Sequence, residues 1–182
     1  TTNDALADTL TELFTKLVYF TELQFYAFLI AEGPAKTVEK KLADKPHVLQ
    51  AISTTYQHTQ IAKSRIELLQ LIIDDKTDEK TLENYVKKYA WLPVYDFTDK
   101  PLTLSELQKQ IAQVQDAKAE LANLTSQHEA GLQEYQQYFE SIEDNHFKKL
   151  VEIVHYFSYL KEMRDDYRRH AYYLWLPFWE EI

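Results

Sequence analysis

The chain has 182 residues, with two glycines, five prolines, no cysteine and a formal net charge of −9 at pH 7. So few turn-forming residues disfavour a β or α/β protein, and the absence of cysteine excludes disulfides and thiol chemistry. Because the negative charge comes without a basic stripe, neither nucleic acid nor an anionic membrane is an expected partner.

The opening TTNDALADTL lacks a starting methionine and the basic region of a signal peptide. The most apolar run, Leu17 to Ile30, is too short to span a bilayer and contains Glu22. We therefore predict a cytoplasmic chain that forms one continuous domain excised from a longer protein.

Helical periodicity of apolar residues predicts an N-terminal bundle part in residues 1–100. The predicted helices run from residue 3 or 4 to Ala31, Lys36 to Leu42, Val48 to about Ile73, and Thr77 or Asp78 to about Tyr89. Gly33-Pro34 is expected to end the first helix, and Ser53-Thr54 is expected to interrupt the third. The irregular apolar segment Trp91 to Phe97 is expected to plug into this bundle, through Trp91, Leu92, Tyr95 and Phe97.

Residues 101–182 are predicted to form a long helical hairpin. Thr103 and Glu106 match a capping box, and the seam that follows alternates by three and four from Leu104 to His128, as in a coiled-coil-like arm. Helix is expected to continue from there to about Phe139. Ser141 is the expected N-cap of a last helix that reaches Ile182 and folds back antiparallel on the arm. The predicted fold is all-α, an elongated helical bundle with a long antiparallel hairpin.

Two motifs have the spacing of metal ligands. Asp74 to Asp78 matches the DDxxD string by which prenyl-transfer enzymes hold magnesium, but it lies where one helix ends and the next begins, so capping and solvated roles are favoured. Glu143-x-x-His146 and Glu152-x-x-His155 have the ExxH spacing of di-iron bundles. Both pairs lie on one helix and cannot converge, so a solvated face or a half-buried polar contact is favoured.

His58 and His128 are read as lone histidines with a structural or surface role, because neither has a partner at ligand spacing. Glycine occurs only at positions 33 and 131, so the chain has no Gly-rich phosphate loop. We predict no catalytic, cofactor-binding or metal-binding residue in this chain.

Two surfaces of the last helix could make contacts outside it. Lys161, Arg164 and Arg168 share one helix flank among carboxylates, which favours a salt-bridge lattice over the alternative, an interdomain or anion contact. The second surface is aromatic and would be covered either by the first helix or by a partner. Its residues are Tyr172, Tyr173, Trp175, Phe178 and Trp179.

A first stretch reads KKYAWL at residues 87–92 followed by LTLSEL at residues 102–107, and a second runs from Leu160 to Ile182. Together they resemble the helical interdomain region of phosphoenolpyruvate synthase-like, PEP-utilising phosphotransferases. The second, from Leu160 to Ile182, is similar to the family helix "lR..R…yy…l..eI" that precedes the swivelling phosphohistidine domain. Lys161 stands where the family has its first arginine.

The resemblance implies a parent enzyme in which an ATP-grasp domain, using ATP and magnesium, phosphorylates a histidine on the swivelling domain. Neither catalytic module lies in this chain, so no catalytic residue is carried over to it. The implied role is a non-catalytic linker or scaffold whose partners are the neighbouring domains of the same polypeptide. The alternative is a free-standing helical module that binds a protein through its aromatic face. The sequence leaves open whether the chain forms a homo-oligomer.

Overall fold

The computed structural model describes residues 7–9, 11–12, 15 and 29–179, with side chains to residue 177. All regular secondary structure in these ranges is α-helical, which confirms the all-α class. We label helical residues 29–41 α1 and the following helices α2 to α7. These are α2 Pro46–Ser53, α3 Gln60–Ile73, α4 Glu79–Tyr89, α5 Leu104–Ala112, α6 Ala117–Ser141 and α7 Asn145–Trp179.

The prediction that Gly33-Pro34 ends a helix is wrong, because α1 runs through both residues. Gly33 has no positive φ, so it does not adopt the left-handed conformation by which glycine ends helices. Val38 in the same helix and Leu42 directly after it are fully or almost fully buried, and this packing outweighs the bond that Pro34 cannot make. Residues 7–9, 11–12 and 15 are helical, whereas the rest of the predicted first helix before residue 29, including the apolar run from Leu17, lies outside the described residues.

The predicted interruption near Ser53-Thr54 is confirmed by residues 54–59, which separate α2 from α3 and which we call the junction. Thr59 caps α3, since its side-chain oxygen accepts a bond from the N–H of Ala62 at 3.2 Å. At the other end Asp75 has φ 56°, the left-handed conformation of a helix C-terminal motif. The N–H of Asp75 donates to the carbonyl of Ile72, and the N–H of Lys76 donates to that of Leu71.

The predicted capping box is confirmed at the start of α5, where the Thr103 hydroxyl accepts from the N–H of Glu106 and the Glu106 carboxylate accepts from that of Thr103. The predicted arm is not one helix, however. Residues 113–116 divide it, and Asp116 starts α6 by accepting a bond from the N–H of Ala119 at 2.9 Å. A strong N-cap within a seam of apolar residues therefore begins a new helix.

The last helix, α7, has 35 residues and so is about 52 Å long at the usual rise per residue. The prediction that Ser141 caps it is wrong, because Ser141 is the last residue of α6 and its hydroxyl donates to the carbonyl of Tyr138. Asp144 caps α7 instead, since its Oδ1 accepts from the N–H groups of His146 at 3.0 Å and Phe147 at 3.1 Å. A carboxylate also suits the positive end of the helix dipole.

Two apolar clusters form the described core, and each draws residues from both sides of residue 100. The first cluster comprises Val38, Leu42, Val48, Ala51, Ile52, Tyr135, Phe147 and Val151. The second comprises Leu68, Leu82, Tyr85, Tyr89 and Leu107. Helix α6 contributes Tyr135 to the first cluster and packs on α2; it also packs on α3, which contributes Leu68 to the second cluster. Residues 142–144 connect α6 to α7, and the long antiparallel hairpin of the arm with α7 stays a prediction.

Polar side chains strengthen the second cluster. The Tyr85 hydroxyl donates to the carbonyl of Ser64 at 2.8 Å, and burial raises the pKa of Tyr85 to about 12. Arg65 forms a two-bond ion pair with Glu120, at 2.6 and 2.8 Å, which fastens α3 to α6.

The apolar segment after α4 is only partly inserted. Val94 is fully buried and Leu92 packs on the second cluster, whereas Trp91 and Phe97 are half-buried and Tyr95 is 46% exposed. Tyr95 therefore does not plug into the bundle as predicted, and its ring faces α7 instead.

Candidate functional site

The predicted cationic flank of α7 does not behave as one group. Lys161 and Arg168 are exposed, whereas the Arg164 side chain is 22% exposed and pairs with its neighbour Asp165. Arg164 donates from Nε at 3.0 Å and from Nη2 at 2.7 Å to the same carboxylate oxygen. The pair largely compensates the Arg164 charge, and the choice between a salt-bridge lattice and an interdomain or anion contact stays a prediction.

The predicted aromatic surface lies against the segment after α4. The ring of Tyr172 meets that of Phe97 edge-on at 4.7 Å, and Trp91 lies 5.2 Å from His170. Tyr173 and Trp175 are half-buried, and the side chains of Phe178 and Trp179 lie outside the described residues. A shallow depression here is lined by Phe97, Arg168, Ala171, Tyr172 and Trp175. Tyr167 and Leu174, each 58% exposed, leave further apolar area on α7.

Arg169 forms a buried polar contact between α7 and this segment. Its side chain is 6% exposed, its guanidinium lies 4.1 Å over the Tyr95 ring and donates to the Tyr95 hydroxyl, and it lies 3.7 Å from Asp166. Burial raises the pKa of Asp166, which also accepts a bond from the backbone N–H of Gln60. The Nε of Arg169 is buried, and no acceptor in the described part of the chain reaches it. This group connects α7 both to α3 and to Tyr95.

His155 is a fully buried histidine on α7, not a residue of a solvated face. Its Nδ1 lies 2.8 Å from the carbonyl of Ile52. Its ring stacks on that of Tyr135 with 3.6 Å between the ring centroids, and the Tyr56 ring lies in a T-shaped arrangement with 4.2 Å between the centroids. Burial lowers the pKa of His155, because the charged form loses its hydration, although the bond to Ile52 acts in the opposite direction. His155 therefore makes a fully buried polar contact, and the prediction of a solvated face or a half-buried polar contact is wrong for this residue.

His58 and His128 are not lone histidines, because their ring centroids lie 4.0 Å apart. His128 on α6 also places Nε2 2.9 Å from the carbonyl of Thr55. One turn further along α6, a Cβ on Gly131 would lie only 2.5 Å from Oγ1 of Thr54. Residues 128 and 131 thus bring α6 into close contact with the junction.

The acidic motifs act at helix ends. Asp74 accepts bonds from Gln70 at 2.8 Å and Lys76 at 3.1 Å, and Asp78 caps α4 through the N–H of Thr81. These bonds lower the pKa of both carboxyl groups. This outcome agrees with the capping reading of the DDxxD string.

The two ExxH motifs are separated by burial as well as by sequence. Glu143, His146 and Glu152 are exposed, whereas His155 faces the core. Across the described ranges, no three histidine, aspartate or glutamate side chains come together as a metal-binding group.

Neither a protein-family model nor a curated protein nor a solved structure matches this chain. None of the helices described here is long and apolar enough to cross a membrane. The family resemblance therefore stays a prediction that rests on the two stretches of sequence that carry it.

Sequence reasoning missed the two buried polar side chains of α7 for different reasons. His155 follows Phe147 and Val151 at four-residue spacing, so the apolar face of the helix already contained the signal. Arg169 carries no such signal, because its ring partner Tyr95 lies 74 positions away. The contact between His58 and His128 is equally invisible to local patterns.

Proposed function

We propose that this chain is a non-catalytic helical scaffold region of a PEP-synthase-like phosphotransferase. In that role it holds an ATP-grasp domain and a swivelling phosphohistidine domain at a workable separation. The observation that carries the proposal is α7, a helix of 35 residues anchored in the first cluster at one end and aromatic at the other. A helix of this kind can transmit a fixed spacing between bodies at its two ends.

The packing of the stretches that resemble the family is compatible with this role. Tyr89 and Ala90 are buried, and Leu102 donates its N–H to the carbonyl of Ala90 at 2.9 Å. Leu107 is fully buried in the second cluster. The residues that carry the family resemblance thus pack helices together, as expected of a scaffold.

The partners in this proposal are the neighbouring domains of the same polypeptide in a cytoplasmic enzyme. ATP and magnesium belong to the ATP-grasp domain of the parent and not to this chain. The buried polar side chains described above support this division, since His155 and Arg169 contact other helices and loops of the scaffold itself.

Thermal unfolding with and without ATP and magnesium tests the non-catalytic part of the proposal. A ligand present at 100 times its Kd stabilises the folded state by about 2.7 kcal/mol, which would raise the Tm by several degrees in a chain of this size. We expect no shift with millimolar ATP. A clear, saturable rise in Tm would contradict the proposal, and inorganic triphosphate is the matched control for nonspecific anion effects.

The gene sequence after Ile182 tests the parent enzyme. We expect the reading frame to continue into a glycine-rich segment that contains a histidine, as a phosphohistidine domain requires. A stop codon at that point would instead favour the second candidate function.

That second candidate is a free-standing helical module that binds a protein partner, or a second copy of itself, through its aromatic face. It is favoured by the exposed side chains of Tyr167 and Leu174. A Leu174→Asp variant should lose the partner in pull-down or sedimentation experiments, whereas Ile61→Asp, at an exposed apolar residue of α3, should keep it. Equal loss in both variants would argue against a specific aromatic interface.

A further inference from the structure

Three histidines from the junction, α6 and α7 meet around residues 54–59. His155 bonds the carbonyl of Ile52, the last but one residue of α2, and His128 bonds the carbonyl of Thr55. His58, within the junction, lies against the His128 ring at 4.0 Å. Carbonyls near the end of a helix have no partner within the helix, so these imidazoles satisfy groups that the break in the chain leaves open.

The geometry fixes which nitrogens carry protons. A carbonyl oxygen only accepts hydrogen bonds, so Nδ1 of His155 and Nε2 of His128 must be the protonated nitrogens. A second proton on His155 must therefore go to Nε2, which is buried and has no acceptor among the described residues. A charge at this position would be costly, because it would be neither hydrated nor paired.

The close contact between His58 and His128 disfavours positive charge on both rings at once. Once either imidazole of His58 and His128 is protonated, charging the other places two positive rings 4.0 Å apart. The buried Nε2 of His155 and the short distance between the rings of His58 and His128 therefore both disfavour added positive charge in the folded arrangement.

We propose that the junction is an acid-sensitive clasp, closed at neutral pH and opened in mildly acidic solution by protonation of His155 and His58. Opening separates residues 54–59 from α6 and from the N-terminal half of α7. The second cluster, formed by α3, α4 and α5, stays folded because its core does not include these histidines.

The groups that face the histidines offer little compensation for added positive charge. His155 is packed between Tyr135 of α6 and Tyr56 of the junction, and Tyr159 lies on the far side of Tyr56. Glu152, one turn earlier on α7, is exposed; burial raises the pKa of Tyr56 and Tyr135, and the charge of Glu152 adds to this effect. Around His58, Lys63 of α3 opposes protonation, and only Glu129 of α6 favours it.

The direction of the pH effect follows from linkage. Burial lowers the pKa of His155, and burial together with His128 and Lys63 lowers that of His58. The unfolded chain thus binds protons at a pH where the closed clasp does not, so the clasp weakens as the pH falls below the ordinary histidine value of about 6.5. Each unit by which a folded-state pKa is lowered can raise the open fraction by up to about tenfold.

Hydrogen exchange of the full chain at pH 7.5 and 5.0, corrected for intrinsic rates, tests the proposal. Peptides covering residues 54–59 and 145–159 should lose about tenfold or more in protection, whereas those covering 79–89 should keep theirs. A uniform loss across all three regions, or no loss at the junction, would overturn it.

Two variants separate titration from hydrogen bonding. In His155→Asn the amide nitrogen takes the place of Nδ1 and can still donate to Ile52, but it does not titrate, and His58→Gln removes the second charge. Both should reduce the loss of protection at pH 5.0, whereas the exposed control His146→Gln should not. Equal acid sensitivity in all three variants would refute the clasp.

A direct titration keeps the proposal testable even if His155→Asn does not fold. The imidazole signals of the unaltered chain, followed by NMR, should show His155 protonating well below pH 6.5. Protonation of His155 at or above pH 6.5 without local opening would overturn the inference.

Discussion

Replacing Gly131 by alanine should destabilise the chain, although alanine is the better helix former. Gly131 lies within α6 where this helix approaches the junction. A Cβ added there would lie 2.5 Å from Oγ1, 3.1 Å from Cγ2 and 3.2 Å from Cβ of Thr54. Rotation about the Cα–Cβ bond of Thr54 moves Oγ1 and Cγ2 but not Cβ. The 3.2 Å contact between the two Cβ atoms therefore remains, and the backbone of α6 or of the junction must move.

The magnitude is the difference between two opposing effects. Alanine in place of glycine in a helix interior stabilises by about 1 kcal/mol, whereas overpacking at a close contact costs roughly 1–3 kcal/mol. The two segments cannot separate freely, because His128 bonds Thr55 directly and Tyr135 stacks on His155, whose ring in turn contacts Tyr56 of the junction. We therefore expect Gly131→Ala to lower the free energy of unfolding by about 1 kcal/mol.

Urea unfolding of the unaltered chain, Gly131→Ala, Thr54→Ala and the double variant, together with one control variant, measures this balance. Thr54→Ala removes Oγ1 and Cγ2 and leaves only the looser 3.2 Å contact with Cβ, so Gly131→Ala should be close to neutral in that background, with a coupling energy of about 1 kcal/mol between the two sites. The exposed neighbour Ala130→Gly measures the helix-propensity effect alone and should cost about 1 kcal/mol. If Gly131→Ala stabilised the otherwise unaltered chain, the close contact of α6 with the junction would be refuted.

Three further substitutions have effects that urea unfolding can measure. Asp75→Gly should stabilise by up to about 1 kcal/mol, since glycine adopts the left-handed conformation at φ 56° without strain; a loss would contradict this C-terminal motif. Thr103→Ala should cost about 1 kcal/mol through loss of the capping box, and Thr103→Ser should recover most of it. Glu120→Gln should cost less than about 1 kcal/mol at pH 7, because its pair with Arg65 is about one-third exposed. Arg65 lowers the pKa of Glu120, so this contribution is present above pH 4.5 and disappears as the pH falls further; a difference from the unaltered chain that persisted at pH 2.5 would contradict the ion pair.

The parts of the fold that the sequence predicts well are those that depend on neighbouring residues. The capping box needs only Thr103 and Glu106, and the cap at Asp78 needs only its position before a helical run. Each is a short-range competition between side chain and backbone for the same N–H groups, so the sequence contains all the participants.

The predictions that failed involve competition between local and distant effects. Gly33-Pro34 has the residues that commonly end helices, but the burial of Val38 and Leu42 keeps α1 continuous. Ser141 is a good capping residue, but Asp144, three positions later, takes that role for α7. In the first case packing overrides propensity, and in the second a competing cap moves the boundary.

Contacts over long sequence separations explain why the polar groups were harder to foresee than the helices. The partners of His155 lie on α2, on α6 and in the junction, and the bond to Ile52 spans 103 positions. No periodicity within a helix contains that information, because spacing reports which face a residue occupies and not what lies against that face. The burial of these polar groups therefore depends on residues that lie far away in the sequence.

The two halves of α7 are attached to the bundle by different kinds of contact. Phe147 and Val151 in the first half are buried in an apolar cluster, whose stabilisation grows with every methylene removed from water. Arg169 in the second half contributes an aromatic contact and an ion pair, each of which is a modest net interaction after desolvation. The second half should therefore separate from the segment after α4 at a lower free energy than the first half leaves its cluster.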